Sequence, residues 1–540
     1  MPLAVRRFLY RAVVRPLSGS ASASRHLHHP EPARARYLAP LAALCIALTA
    51  CSTPTPMSSV APVDPVGLFP MSAYDQNVDH WLDPADPNYD QPFLGDADQH
   101  AHFAALRARY FGTSAKDPSP WNPAYVVTRV YSHAGADIAA LQRRRIAWFD
   151  NTGKAPHDIG YGQNFRPHTQ AWIDAIARNM DVGQFERDAR YLPARRAIST
   201  DNVLVRELPT FDPSFYSHRL AGEGYPFDNL QISALRPGTP LYVLGSSLDG
   251  GWRYVQTPEV QGWVRSDEIA AVDEAFVTQW RDAANHGLAA VIVASASIRD
   301  TRGTFRFDAP AGTLLPLASA SANAARESAT SQNARTVLIP ARDIDGNAVI
   351  RRAQPDASQL ATLPWRATPH HLAMLMTGLI GRPYGWGNTG FYNDCSSELQ
   401  SIFAAFGVWL PRHSSTQMSA GQMTDLSASS VGQRLDWLVE HGKPMRSLIY
   451  IGGHVMLYIG TTTRDGRTVP VVYQDVWGMR PADNSRRAII GGSVILPLLA
   501  QMPEDPALES LAGTRIFQVS ILGAPDGTTP VPPDDDNPAG

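Results

Sequence analysis

Cys395 stands in "NDCSSELQSIFAAFG", where a loop rich in glycine and aromatic residues turns into a stretch with helical patterning. A thiol that attacks a carbonyl needs access to its thiolate, a base beside it, and a group that orients the base. The first turn of a helix offers unpaired N–H groups and the positive end of the dipole, both of which favour a thiolate. Asp394 would cap that helix and Gly407 would end it. Capping requires no catalysis, so position alone leaves Cys395 open between a nucleophile and a small buried hydrophobe. The base candidate is His454, which opens the apolar, glycine-bracketed run "IGGHVMLYIG". A lone histidine at a strand start is more often a structural or surface residue. The next strand, "VVYQDVWG", carries Gln474 and Asp475 on opposite faces, so one of the two can meet the imidazole.

The other cysteines sharpen the question. Residues 1–36 are Arg-rich with a single acid, Glu31, and lead into the apolar run "LAPLAALCIALTA". That run is short for a bilayer span and ends at Cys51, the pattern of a secretory signal. The tetrad "LTAC" resembles a lipobox, the bacterial lipoprotein signal whose cysteine is lipidated. A Ser/Pro/Thr-rich linker follows, and Ser52 points to the outer membrane facing the periplasm. On this reading residues 1–51 are signal and lipidation site. Cys45 leaves with the signal, Cys51 takes the lipid, and Cys395 is the only free thiol of an exported protein. Such a thiol is either inert and buried or kept for its reactivity. Residues 1–50 also take seven arginines and one glutamate from 47 basic and 50 acidic residues, leaving the remainder near −9. That charge excludes a general nucleic-acid binder.

The elements that must hold these groups fall into blocks. A linker is expected over 52–80 and a separate, loop- and helix-rich N-terminal region over 81–195. There "HTQAWIDAIARNM" sets Trp172, Ile173, Ile176 and Met180 on one helical face. Short alternating strands then predict two small all-β barrels, over 196–287 and 288–355. In the first, "GWRYV" followed by "GWVRSDEI", around Trp252 and Trp263, resembles a bacterial SH3-like domain; the second lacks that tryptophan signature. Helices followed by antiparallel strands over 360–505 predict an α+β domain, with Thr368 capping its first helix. Residues 524–540 read as a disordered tail. The expected fold is therefore multidomain.

A cysteine on a helix N-terminus, with a histidine and a polar residue on adjacent strands, is papain-like geometry. Residues 370–500 resemble the NlpC family of papain-like cysteine peptidases, which cut bacterial cell-wall peptides. The resemblance is carried by "YGWGN", "DCSS", "LPRHSSTQ", "HVMLYIG" and "YQDVWG" in that order, with upstream matches that extend it over most of residues 80–500. It implies Cys395 as nucleophile, His454 as base and Gln474 as the orienting third residue. Many relatives have histidine at that third place, and Asp475 is the fallback. The family's "Trp-Gly-Gly" is here Trp386-Gly387-Asn388, and its "Gly-Asp-Leu" is Arg446-Ser447-Leu448. The resemblance further implies that Asp394 and Ser396 hold the free amine of an N-terminal L-alanine, that Glu223 from the first barrel helps, and that Tyr384 flanks the cleft. The implied reaction is cleavage of the γ-D-glutamyl to diamino-acid bond in peptidoglycan stem peptides, with no cofactor or metal. The partners implied are stem peptides or muropeptides and, through the lipid, a membrane. The competing readings are a wall-binding scaffold with little or no activity, and an amidase or acyltransferase on the same fold.

Overall fold

The structure, a computed structural model, describes residues 66–220, 224–318 and 335–523. Cys51, Glu223 and the expected tail at 524–540 lie outside the described residues. The chain is built into the fold well before residue 80. Strand β1 (Val66–Leu68) pairs in parallel with a strand near the far end of the chain, Val66 opposite Arg487. Phe69 and Tyr74 follow it into a buried cluster. The three residues of β1 have exposed side chains, so the main chain makes this pairing and no hydrophobic pattern announces it.

Helices α1 (Asp96–Phe111), α2 (Ala136–Phe149) and α3 (Gln170–Met180) form the N-terminal region. Thr169 caps α3 by accepting from the Trp172 N–H, and Ile173, Ile176 and Met180 are buried. The region has no core of its own. Ile138, Phe149, Ile173, Ile176 and Met180 share one cluster with Tyr242, Tyr254 and Trp263 of the first barrel. Trp263 Nε1 donates to Gln142 Oε1 at 2.9 Å. Each fully buried aromatic of this kind stabilises the assembly by roughly 1.5–3 kcal/mol. On the other side, Gln99 Nε2 of α1 donates to the backbone oxygens of Trp365 (2.5 Å) and Phe406 (2.8 Å). The stretch that patterning marks as separate is a brace between modules, because its apolar faces find their partners outside it.

Barrel 1 is a seven-stranded sheet made of β2 (Arg196–Ser199), β3 (Val203–Arg206), β4 (Gln231–Leu235), β5 (Pro240–Ser246), β6 (Trp252–Gln256), β7 (Gln261–Arg265) and β8 (Ile269–Ala271). Their order is β4-β3-β7-β6-β5-β2-β8. Helix α4 (Glu274–His286), capped by Asp273, leads out of it. Barrel 2 contains β9 (Leu288–Val291), the hairpin β10 (Ser295–Arg299) and β11 (Phe305–Pro310), β12 (Leu314–Pro316), and the hairpin β13 (Val337–Arg342) and β14 (Ala348–Ala353). Its last strand, β15 (Leu360–Thr362), pairs with β9, so the module runs past residue 355.

The α+β domain begins with α5 (Pro369–Leu379), where the Thr368 side chain accepts from the His371 N–H. Next come α6 (Cys395–Ala405), β16 (Gly421–Asp425), α7 (Val431–His441), β17 (Ser447–Tyr450), β18 (Val455–Arg464), β19 (Arg467–Met479), β20 (Arg487–Pro497) and β21 (Gln518–Leu522). The sheet order is β1-β20-β19-β18-β17-β21-β16. Strand alternation divides the burial. Val455, Leu457 and Ile459 pack with α5 and α6, while Met456 and Tyr458 pack on the opposite face with Leu438 of α7. The domain outruns residue 505, because β21 returns between β17 and β16.

Candidate active site

Helix α6 starts at Cys395, and a capping box fixes that start: the Asp394 side chain accepts from the Ser397 N–H, and the Ser397 hydroxyl accepts from the Asp394 N–H. A cap of this kind is worth about 1 kcal/mol and holds Cys395 at the first helical position. The thiol is buried and lies under the Val455 N–H, which donates to it. Burial, with the Asp394 carboxylate next door, pushes its pKa up to about 12, and the Val455 N–H works in the opposite direction.

Val455 directly follows His454, so the thiol meets the backbone at the start of the strand that carries the imidazole. The hairpin between β17 and β18 turns at Gly452 and Gly453, with φ of +82° and +86°, a pairing of left-handed residues that two-residue hairpins favour. The turn closes with the Ile451 N–H on the His454 carbonyl at 3.0 Å and delivers the imidazole at the strand's start. His454 Nε2 lies 2.7 Å from Gln474 Oε1 on β19. An amide oxygen only accepts, so this bond places the ring proton on Nε2 and leaves Nδ1 as the base. The packing around the ring lowers its pKa to about 4, although the Gln474 bond pulls upward. Burial thus favours the neutral form of both Cys395 and His454.

Of the two residues that alternation left open, the structure brings Gln474 to the imidazole. Asp475 points to the other face, toward Glu398 and Tyr473, and burial with nearby Glu398 raises its pKa well above the usual carboxylate range. Glu398 anchors α6 to the sheet: it accepts from the Tyr473 hydroxyl, from Ser493 Oγ at 2.8 Å and from Asn393 Nδ2 at 2.5 Å. Sequence reasoning did not single out Glu398. Its signal was a carboxylate one turn into an otherwise apolar and small helix.

Asp394 and Ser396 are not free. Arg412 reaches Asp394 Oδ2 at 2.6 Å and Oδ1 at 3.1 Å, and bonds Ser396 Oγ at 2.8 Å. Ser396 Oγ, Ser397 N and Gly387 N also donate to the carboxylate, at 3.1, 3.0 and 3.1 Å. Burial alone would raise the Asp394 pKa, but Arg412 and these donors hold it below the usual range.

Barrel 1 forms the neighbouring wall. Phe227 sits between Trp386 (5.2 Å between ring centroids) and Trp477 (5.7 Å), and Tyr384 lies 6.2 Å from Trp477. Trp386 Nε1 donates to the Asp228 carbonyl at 3.2 Å. Burial raises the Tyr384 phenol well above 10, with Cys395 and Asp394 close by working in the same direction. The site can thus present a nucleophile, a base with a fixed tautomer and an aromatic lip.

Known families match each module of the chain. Residues 381–483 match the NlpC/P60 family, and residues 38–185 match the NLPC_P60 stabilising domain. Residues 213–265 and 273–322 match SH3 domains of the SH3b1 and SH3b2 types. A solved NlpC/P60 endopeptidase from Photobacterium damselae subsp. piscicida is 26% identical with a TM-score of 0.68, over 84% of this chain and 98% of that one. The gamma-D-glutamyl-L-lysine dipeptidyl-peptidase of Bacillus subtilis (strain 168) is 33% identical over 104 residues, 18% of this chain. The chain spans about a third (34%) of the length of that curated relative.

Proposed function

The chain is a multidomain member of the NlpC/P60 peptidase family, and from that premise we propose that it hydrolyses the γ-D-glutamyl to diamino-acid bond of peptidoglycan stem peptides. The single observation that carries the chemistry is the His454–Gln474 bond of 2.7 Å beside a thiol at a helix N-terminus. Cys395 Sγ adds to the scissile carbonyl while His454 Nδ1 takes the thiol proton. The imidazolium so formed keeps its Nε2–H on Gln474 Oε1. His454 then gives the proton to the departing amine, and a thioester remains on Cys395. Water, deprotonated by the same nitrogen, attacks the thioester; the acid leaves and the thiol is restored. A neutral resting pair suits this order, because charge separates only when a carbonyl is present to receive it.

The choice of bond is supported by the similarity to the dipeptidyl-peptidase and by the aromatic lip that barrel 1 adds to the cleft. Purified L-Ala-γ-D-Glu-diamino-acid stems test it by mass spectrometry of the products. L-Ala-D-Glu and a free diamino acid are expected from the native protein, and no product from a folded Cys395→Ala variant. Cleavage by that variant, or a different product pair, would overturn the proposal. An N-terminal L-alanine ammonium would reach Asp394 only by sharing its oxygens with the five donors already present. Equal rates on free and N-acetylated stems would therefore remove the demand for a free amine without touching the choice of bond.

A further inference from the structure

Asn388 occupies the position where the family pattern has glycine, and it is buried. Its backbone is left-handed, φ +64° and ψ +27°, a conformation asparagine tolerates better than most residues with a side chain. The side chain is fully engaged. Its oxygen accepts from Arg412 Nη2 at 2.9 Å and from the Ala234 N–H of β4 at 3.3 Å. Its nitrogen donates to Ser397 Oγ at 2.9 Å and to the Tyr392 carbonyl at 3.1 Å. Ser397 is half of the capping box, and Arg412 holds the other half, Asp394.

Arg412 continues the connection into barrel 1, donating from Nε to Ser233 Oγ at 2.8 Å. Beside it, Gln231 Nε2 donates to the Gly387 carbonyl at 2.8 Å. Two turns along α6, Arg236 donates to Ser401 Oγ at 2.5 Å. One edge of the barrel is therefore hydrogen-bonded to the nucleophile helix at its cap and along its side. We infer that Asn388 is a positioning residue: it locks β4 of barrel 1 to the capping box of α6 and thereby sets where Cys395 stands relative to His454. Glycine in its place would leave the backbone path open and remove every one of these side-chain bonds.

The inference uses the peptidase reading for its kinetic arm, so its test includes an arm that needs no substrate. In the full chain, Asn388→Gly is expected to lower kcat about tenfold with KM within about twofold, as a small misplacement of a reacting group does. It is also expected to shift the pH midpoint for alkylation of Cys395 by iodoacetamide. Ser397→Ala is expected to produce the same two effects, and the double variant less than their sum, because the two share the bond between Asn388 and the Ser397 hydroxyl. Failure of the native protein to cleave stems would overturn the function but not the inference, which the alkylation arm then decides. An alkylation profile identical to the native one in Asn388→Gly, or additive effects in the double variant, would overturn the inference. If Asn388→Gly does not fold, Ser233→Ala reads the same connection from the barrel side, and an unshifted profile there overturns it as well.

Discussion

The two barrels press on the same helix in different ways. Barrel 1 has an aliphatic core of alanine, valine, leucine and isoleucine, turns Tyr242, Tyr254 and Trp263 onto the N-terminal helices, and reaches α6 through polar side chains on β4 and just beyond. Barrel 2 has a largely aliphatic core of alanine, valine, isoleucine and leucine, with Phe307 among them. It meets α6 by close fit. Gly312 (φ +77°) lies so near that a Cβ there would stand 2.5 Å from the Ser401 carbonyl and 3.1 Å from Ala404 Cβ. Directional bonds fix an angle and a register, whereas steric fit fixes only a distance. Two modules of one architecture thus divide the work: one aims the helix and the other backs it.

The comparison breaks hardest at Arg412. Arg412→Met removes the bond to Ser233 of barrel 1 and leaves Asp394 as a buried charge without its partner, a change that costs about 3–5 kcal/mol. Urea unfolding should show that loss, and cleavage should fall with it. A stability change under about 1 kcal/mol would mean that solvent reaches Asp394 and that barrel 1 aims nothing.

Gly312→Ala tests the other side. The left-handed backbone and the short distance to Ser401 predict a loss of about 1–3 kcal/mol with kcat per folded molecule unchanged. If kcat falls as far as in Asn388→Gly, the two barrels do the same work and the contrast is lost.

The smallest expected effect is in pH. Burial lowers His454 to about 4 from the ordinary 6.5, so the base stays neutral through mildly acid conditions. The acid limb of kcat/KM is expected near pH 4, and in the same place for Asn388→Gly and Gly312→Ala, since Gln474 and Asp394 are the groups that act on the ring's charge. A limb near 6.5 would contradict the burial. The folded pKa lies below the unfolded one, so between about 4 and 6.5 the unfolded chain binds the extra proton. The stability tied to His454 is present above 6.5 and is lost as pH falls toward 4.

Much of this was legible in the residues. Cys395 and His454 sit inside local patterns, a helix start and a glycine-marked strand start, that need no distant information. Tryptophan spacing announced barrel 1, and its absence left barrel 2 to alternation alone. Gln474 against Asp475 could not be decided from alternation, because both faces of β19 are covered and both residues are buried. The Asn388 connection was hidden for a different reason: Ser233 and Arg412 lie 179 residues apart in the chain. A glycine-to-asparagine change reads as loop variation until the surface opposite it is known. The commitment of Asp394 to Arg412 was hidden too, since a carboxylate before a nucleophile suits an ammonium ligand and a helix cap equally well.

Strand β1 carries a last consequence. It lies in parallel along β20 at one margin of the central sheet, where β20 would otherwise offer a row of unmet backbone donors and acceptors. Such a margin is a template for any extended chain, a second copy of this one included. Three solvent-facing residues with no part in the chemistry thus cover the Arg487–Ile489 stretch of that margin, and a chain trimmed past Leu68 is expected to self-associate more readily, which light scattering would show.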